Sequence, residues 1–329
     1  MNILCVAGSR GERAKLSPVI ACLEGDHEVA CACISRQGRI PTWNVSAPPP
    51  ASFRRELSDE SPVARVAAAL RWLAPLLEER RPDLLLTCGH SDAALGAALA
   101  ASLADVSRAH LDAGALVGGA TPNARLLDRG AAFLLASHVA AVERLASLGM
   151  ADLAYMCGDT LADGPDAAGI EVDGAPERYC LGYLGGPGLE SAQLPSLLGA
   201  LDELGLPALL LADERARTRL EEVDVSRREN IRPMAPLDYV PMQAAISGAA
   251  VVITDSPTVQ RESFFRGTVV VGLSAADFSD GERTGWVRRV AMDERAILEA
   301  AKAPPPTQPP QLEAHRGASA RAARFVTGL

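Results

Sequence analysis

Val251-Val252-Ile253-Thr254-Asp255-Ser256-Pro257-Thr258-Val259-Gln260-Arg261-Glu262 is the stretch on which the reading of this chain turns. An apolar run breaks off at Thr-Asp-Ser-Pro, and a polar segment carrying Gln260 and Glu262 follows at once. The pattern predicts a buried strand that delivers a hydroxyl and the start of a helix to the rim of a sheet. Such rims are where α/β proteins hold phosphorylated ligands. Ser256, opening the helix, can donate to a phosphate, and Glu262, six residues on, can accept from ribose hydroxyls.

Working outward, apolar strand-like runs alternate with helical ones. Residues 2–7 read as a short parallel strand closed by Gly8, 15–23 as a helix and 27–34 as a second strand. A Pro-rich loop over 38–52 precedes a long Ala/Leu helix over 62–79. Residues 83–87 then form a strand ending in Cys88-Gly89-His90-Ser91-Asp92, followed by a helix to about 103 and a strand over 107–111. A second alternation starts at Tyr179, with a helix over 192–204 and a strand over 208–211, and a final helix covers 313–326. This order implies right-handed βαβ units and parallel sheets. The expected division is a first domain over 1–165, joined by a helix within 312–329 that packs back on it, and a second domain over 166–311. Two doubly wound domains facing each other would set both rims on one cleft.

Composition narrows the function classes. A chain of 329 residues is long enough for two cores, and 48% of it is hydrophobic with few aromatics, as expected for Ala/Leu/Val helices on parallel strands. The net charge of −9 argues against a general nucleic-acid or anionic-membrane surface. Only Lys15 and Lys302 are lysines, which makes Lys15 conspicuous in the N-terminal segment. The seven cysteines follow no zinc spacing beyond Cys31-Ala32-Cys33, so no metal is expected and the thiols read as reduced in a cytoplasm. Met1 leads straight into a strand, so no signal peptide is expected, nor a run of membrane-spanning length.

Five segments carry chemistry. Gly8-Ser9-Arg10-Gly11-Glu12-Arg13-Ala14-Lys15 reads as a glycine turn whose backbone N–H groups, with Arg10 and Lys15, suit a pyrophosphate; it reads equally as a plain βα turn with solvated charges. The glycine spacing fits neither a dinucleotide fingerprint nor a P-loop. His90, at a strand's carboxyl end, titrates near neutrality and can act as acid or base, or simply hydrogen-bond the next loop. Asp112 in His110-Leu111-Asp112-Ala113-Gly114 is a carboxylate at another strand tip, or a turn aspartate. Leu184-Gly185-Gly186-Pro187-Gly188 offers bare backbone to a phosphate or is a loop. The fifth segment is the opening stretch.

In order and spacing these segments resemble the UDP-N-acetylglucosamine 2-epimerase family. Gly8-Ser9-Arg10-Gly11-Glu12 with Lys15 and Pro18 is similar to its Gly-Thr-Arg-Pro-Glu-x-x-Lys-x-x-Pro, Pro82-Asp83 through Gly89 to its Pro-Asp-x5-Gly-Asp, and His110-Leu111-Asp112-Ala113-Gly114 to its His-x-Glu-Ala-Gly. Gly158-Asp159-Thr160 resembles its hinge, and Asn230-Ile231, Pro236-Leu237-Asp238-Tyr239 and Thr254-Asp255-Ser256 with Gln260 and Glu262 resemble its nucleotide half. The resemblance implies a GT-B-like fold of two Rossmann-like domains, a homodimer, no cofactor, and UDP or a UDP-sugar as ligand. Arg10, Ser256 and Glu262 would contact the nucleotide. In the family UDP is eliminated with loss of the C2 proton, giving a 2-acetamidoglucal, and is then re-added; hydrolysing relatives release the free sugar.

The departures from that family fall on its catalytic set. His90 stands where it has Asp, Asp112 where it has Glu, Thr121-Pro122-Asn123-Ala124-Arg125 where it has Pro-Glu-Glu-x-Asn-Arg, and Leu184-Gly185-Gly186-Pro187-Gly188 where it has His-Arg-Arg-Glu. Its Arg-Asp-Thr-Thr-Glu-Arg-Pro-Glu loop is shortened to about 273–280. Losing one acid or base costs roughly 100- to 10,000-fold. Three readings therefore stay open. One is an enzyme on a nucleotide sugar with His90 and Asp112 as the acid–base pair and Arg10 and Lys15 on the departing diphosphate. The others are a GT-B glycosyltransferase and a non-catalytic UDP-sugar binder.

Overall fold

The computed structural model describes residues 1–36, 52–57, 61–114, 121–167, 169–185, 193–223, 225, 228–273 and 278–328. They divide into two compact units. One ends at Gly164 and takes back the chain from Leu312 onward; the other runs Pro165–Gln311.

The first unit holds β1 (Asn2–Ala7), β2 (Glu28–Arg36), β3 (Phe53–Leu57), β4 (Leu84–Cys88), β5 (Ser107–Leu111), β6 (Phe133–Ala136) and β7 (Ala154–Met156) in one sheet, ordered β3-β2-β1-β4-β5-β6-β7. All its described pairings are parallel. Between the strands run α1 (Arg10–Leu23), α2 (Pro62–Arg80), α3 (Asp92–Leu103), α4 (Pro122–Gly130) and α5 (Val139–Ser147). The second unit repeats the plan with β8 (Cys180–Leu184), β9 (Ala208–Ala212), β10 (Ile231–Pro233), β11 (Val251–Thr254), β12 (Val270–Gly272) and β13 (Val287–Arg289), ordered β10-β9-β8-β11-β12-β13 and again parallel. Its helices are α6 (Leu194–Glu203), α7 (Glu214–Glu221), α8 (Tyr239–Gly248), α9 (Pro257–Phe265), α10 (Ser279–Arg283) and α11 (Glu294–Lys302). The chain returns to the first unit through α12 (Ala318–Thr327). These are two Rossmann-like, doubly wound α/β units of the GT-B kind. Each sheet reverses its winding at its centre, between β1 and β4 and between β8 and β11, the switch points where such sheets bind ligands.

The central strands are buried along their length because helices cover both faces, so their sequences read as nearly unbroken apolar runs. The small residues of α3 let α2 come close. A Cβ placed on Gly96 would stand 2.6 Å from Ala69 Cβ and 2.7 Å from the Val66 carbonyl, so glycine is required there. The returning α12 packs on α1 and stacks Phe325 on Tyr155 at 4.2 Å between ring centroids, with Phe133 edge-on at 5.9 Å.

Several bounds differ from expectation. The helix expected from 15 begins at Arg10, because Ser9 caps it by accepting from the Glu12 N–H (3.2 Å). The last helix begins at Ala318, since Gly317 lies in the left-handed region (φ 71°), where a helix cannot run. Strands β3, β6, β7, β10, β12 and β13 were not expected; five of the six are three or four residues long, too short to show a period. Most of the Pro-rich 38–52 loop, the Gly186-Pro187-Gly188 segment and part of 273–280 lie outside the described residues. Among the described residues, no helix is long and apolar enough to cross a membrane.

Candidate functional site

In the first unit the tips of β1, β4 and β5 lie side by side at the switch point. The turn after β1 reads either as a cradle presenting its backbone N–H groups to a phosphate or as a plain βα turn. The Gly8 N–H is taken by the chain itself: it donates to Glu12 Oε2 at 2.6 Å. The same carboxylate accepts from the Ser91 N–H (3.0 Å) and the Ser91 hydroxyl (2.9 Å), and Ser91 caps α3. Glu12 thus ties the starts of α1 and α3 together, with its charge at two helix N-termini, where a carboxylate is favoured. Burial pushes its carboxyl above the ordinary value, and the Gly8 and Ser91 donors, with Lys15 nearby, hold that rise back. Gly89 makes room for it: a Cβ there would stand 2.8 Å from Glu12 Cγ, and φ is +66°.

Lys15, one turn further along α1, forms a buried ion pair with Asp112 at the tip of β5. Ser137, after β6, donates to the other Asp112 oxygen at 2.9 Å. Asp112 occupies the left-handed region (φ 63°), a strained placement worth of order 1–3 kcal/mol unless neighbours hold it. Its carboxylate is therefore gripped from two sides. The Lys15 carbonyl accepts from the Thr160 hydroxyl at 2.8 Å, which anchors that part of α1. His90 lies at the tip of β4. Burial pulls its imidazole below its ordinary pKa, the Asp112 charge opposes that, and the Lys15 charge adds to it. Its carbonyl accepts from the Asn123 side chain at 3.2 Å, and Asn123 also donates to Asp92 (2.9 Å), which Arg65 pairs from α2 (2.6 Å). Asn123 comes from the segment where a carboxylate was expected and missed. It places the His90 backbone instead. Arg10 lies half-buried in the first turn of α1.

Behind this row, His110 and Asp128 are buried, with Nε2 3.6 Å from Oδ1, and Thr87 Oγ1 is 3.0 Å from His110 Nδ1. Burial lowers His110 to about 4 and raises Asp128 to about 6. The two act oppositely on stability. Folded Asp128 keeps a proton that the free carboxyl loses at 3.8, so its contribution falls as pH rises from there to about 6. Folded His110 refuses a proton that the free imidazole takes at 6.5, so its contribution rises with pH from about 4 to 6.5. Removing one term should unmask the other. In Asp128→Asn the melting temperature is expected to climb between pH 4 and 6.5 more steeply than in the parent; an unchanged slope would contradict the pairing.

The second unit shows the same device. Thr254, ending β11, donates to the Tyr183 carbonyl of β8 at 2.7 Å across the switch point and accepts from the Ser256 N–H at 3.0 Å. Asp255 accepts from the Gly185 N–H at 2.9 Å. A glycine amide in a segment read as a phosphate contact or a loop is again engaged by a carboxylate of the chain. Ser256 caps α9, accepting from the Val259 N–H at 3.4 Å. Gln260 packs against β12, where a Cβ on Gly272 would stand 2.9 Å from its amide. Glu262 is buried (1% exposed) about 240° around the helix axis from Ser256, so the two lie on different faces of α9. Among the described residues no group of three or more His, Cys, Asp or Glu side chains is placed to hold a metal ion.

Comparison with known proteins agrees with this architecture. The family described as UDP-N-acetylglucosamine 2-epimerase matches residues 187–319, mostly in the second unit; the strand tips carrying His90 and Asp112 lie outside the matched stretch. A "Probable UDP-N-acetylglucosamine 2-epimerase" of Ralstonia solanacearum is 24% identical over 346 residues, covering 92% of this chain and 90% of its own. Among solved structures, the UDP-GlcNAc 2-epimerase of Methanocaldococcus jannaschii in complex with UDP-GlcNAc and UDP superposes with a TM-score of 0.84 at 17% identity over the whole of both chains. That of Neisseria meningitidis bound to UDP-GlcNAc does so with 0.81 at 18%, again over both whole chains.

Proposed function

We propose that this chain, similar to the UDP-N-acetylglucosamine 2-epimerase family, acts on a UDP-N-acetylglucosamine-like nucleotide sugar with a rebuilt acid–base pair, His90 and Asp112. The observation that carries this reading is a half-buried imidazole at the tip of β4 that feels the charge of a carboxylate at the tip of the adjacent β5, which Lys15 and Ser137 hold in place. A histidine pulled below its ordinary pKa is neutral at pH 7 and can accept the C2 proton. The Asp112 charge then favours the imidazolium that forms. As the C2–H bond breaks, its electrons form the C1–C2 double bond and the C1–O bond opens, so UDP leaves with the electron pair and Arg10 offsets its charge. Return of UDP to C1 and of a proton to the other face of C2 completes an epimerisation; water at C1 completes a hydrolysis.

Ser256, Gln260 and Glu262 are assigned to the nucleotide, with Ser256 at a helix N-terminus favourable to phosphate. Lys15 acts on the diphosphate only through the electrostatics it shares with Asp112, because the pair is closed. The test is incubation with UDP-GlcNAc in deuterated water, following deuterium at C2 and release of UDP. Exchange with UDP release is expected. UDP bound by calorimetry without exchange or release would identify a binder, and a glycoside formed from pooled acceptors a glycosyltransferase. No UDP binding would remove the nucleotide assignments altogether.

A further inference from the structure

Cys31 and Cys33 lie two apart on β2, so their side chains leave the same face of the sheet. Their sulfurs stand 3.9 Å apart, within contact of each other, in the core between the sheet and α1. Neither is paired in a disulfide. The two thiols are not equivalent. Cys33 is closer to the surface, is opposite Arg54 on β3, and feels both Arg54 and Arg13 of α1. Its acidity is increased, to about 7, chiefly by the contact with Cys31 and further by the two arginines against the opposing effect of burial. Cys31 is deeper and is pushed the other way. Cys5, Cys88, Cys157 and Cys180 are buried thiols driven up by burial, and Cys22 stands alone on the surface.

We propose that Cys31 and Cys33 are a closable dithiol, a site of reversible oxidation by hydrogen peroxide beside the β1 tip. Cys33 takes the part of nucleophile and Cys31 that of the resolving thiol. The Cys33 thiolate attacks one peroxide oxygen, the O–O bond breaks, and the departing hydroxide leaves as water with the Cys33 proton. Cys33 is then a sulfenic acid. The Cys31 sulfur attacks the Cys33 sulfur, the S–O bond breaks, and the second hydroxide leaves as water with the Cys31 proton. Two thiols are oxidised and one peroxide is reduced to two waters. Closure shortens the sulfur separation to about 2.0 Å, and because residues two apart on an extended strand hold their Cβ atoms farther apart than a disulfide allows, it needs β2 to pucker locally as well as the side chains to rotate. Cys33 pairs in register with Ala7, the residue before the Gly8 turn, so closure acts on the strand that leads into the first-unit site.

The intact protein treated with hydrogen peroxide, alkylated after unfolding and mapped by mass spectrometry, should lose two alkylatable thiols. Fragmentation should show a Cys31–Cys33 loop that dithiothreitol reopens. In Cys31→Ser the mapping should show Cys33 advancing to sulfinic acid, and in Cys33→Ser Cys31 should stay alkylatable. Oxidation confined to Cys22, or a parent protein whose Cys31 and Cys33 both remain alkylatable until it unfolds, would overturn the proposal. The parent's map decides this whether or not either variant folds, and no step depends on the nucleotide-sugar reading.

Discussion

Replacing Lys15 with Met is expected to destabilise the first unit by about 3–5 kcal/mol, the usual effect of stranding one member of a buried ion pair. Lys15 and Asp112 both have side chains at most 10% exposed, so water cannot replace the lost ammonium. The Ser137 hydroxyl donates to the Asp112 carboxylate, which also sits in a strained backbone conformation. Adding Asp112→Asn should restore most of the loss, because a neutral amide needs no counter-charge. A double-mutant cycle read by hydrogen exchange of the β4 and β5 amides measures the coupling. A loss below about 1 kcal/mol in Lys15→Met would place the pair among solvent-screened surface bridges and contradict the burial. Replacing a buried ion pair by neutral groups is often harmless to stability. The double variant should therefore be folded yet inactive, which separates a pair kept for chemistry from one kept for the fold.

His90→Gln should lower turnover of the nucleotide sugar roughly 100- to 10,000-fold, the range for losing one acid–base group. The fold should be spared. The hydrogen bond described for His90 uses its carbonyl, which accepts from Asn123, and glutamine keeps that carbonyl. The pH dependence carries a second check. The base must be neutral, and the neutral form dominates above the folded pKa, which burial moves below 6.5. The parent's rate should hold through neutrality and fall on the acid side. Asp112→Asn removes the charge that props the imidazole up, so any residual activity should show its acid limb at lower pH still. Parental rates in His90→Gln would end its role as base.

Much of the fold was legible in the residues alone. β1, β4, β8 and β11 are mostly apolar runs closed by turn residues, and α2 is long enough to show its period. The early start of α1 was also legible: Ser9-Arg10-Gly11-Glu12 has the spacing of a capping box, and weighing it would have moved the helix back to Arg10. Ser137 and Asn123 left no such mark, since a lone serine after a strand and an asparagine in the first turn of a helix have many commoner uses.

Local patterning determined the longer strands and the helices of this chain, because period, caps and breakers act within a few residues. What occupies each switch point was decided only by tertiary structure. Both glycine segments read either as cradles for phosphate or as plain turns; in the fold the Gly8 amide meets Glu12, which also bridges to Ser91 79 positions away, and the Gly185 amide meets Asp255 70 positions away. Lys15 reads as a cation for a ligand until the fold sets it on Asp112, 97 positions along the chain. A charge in a buried site takes the nearest opposite charge, and only the closed fold determines which one that is.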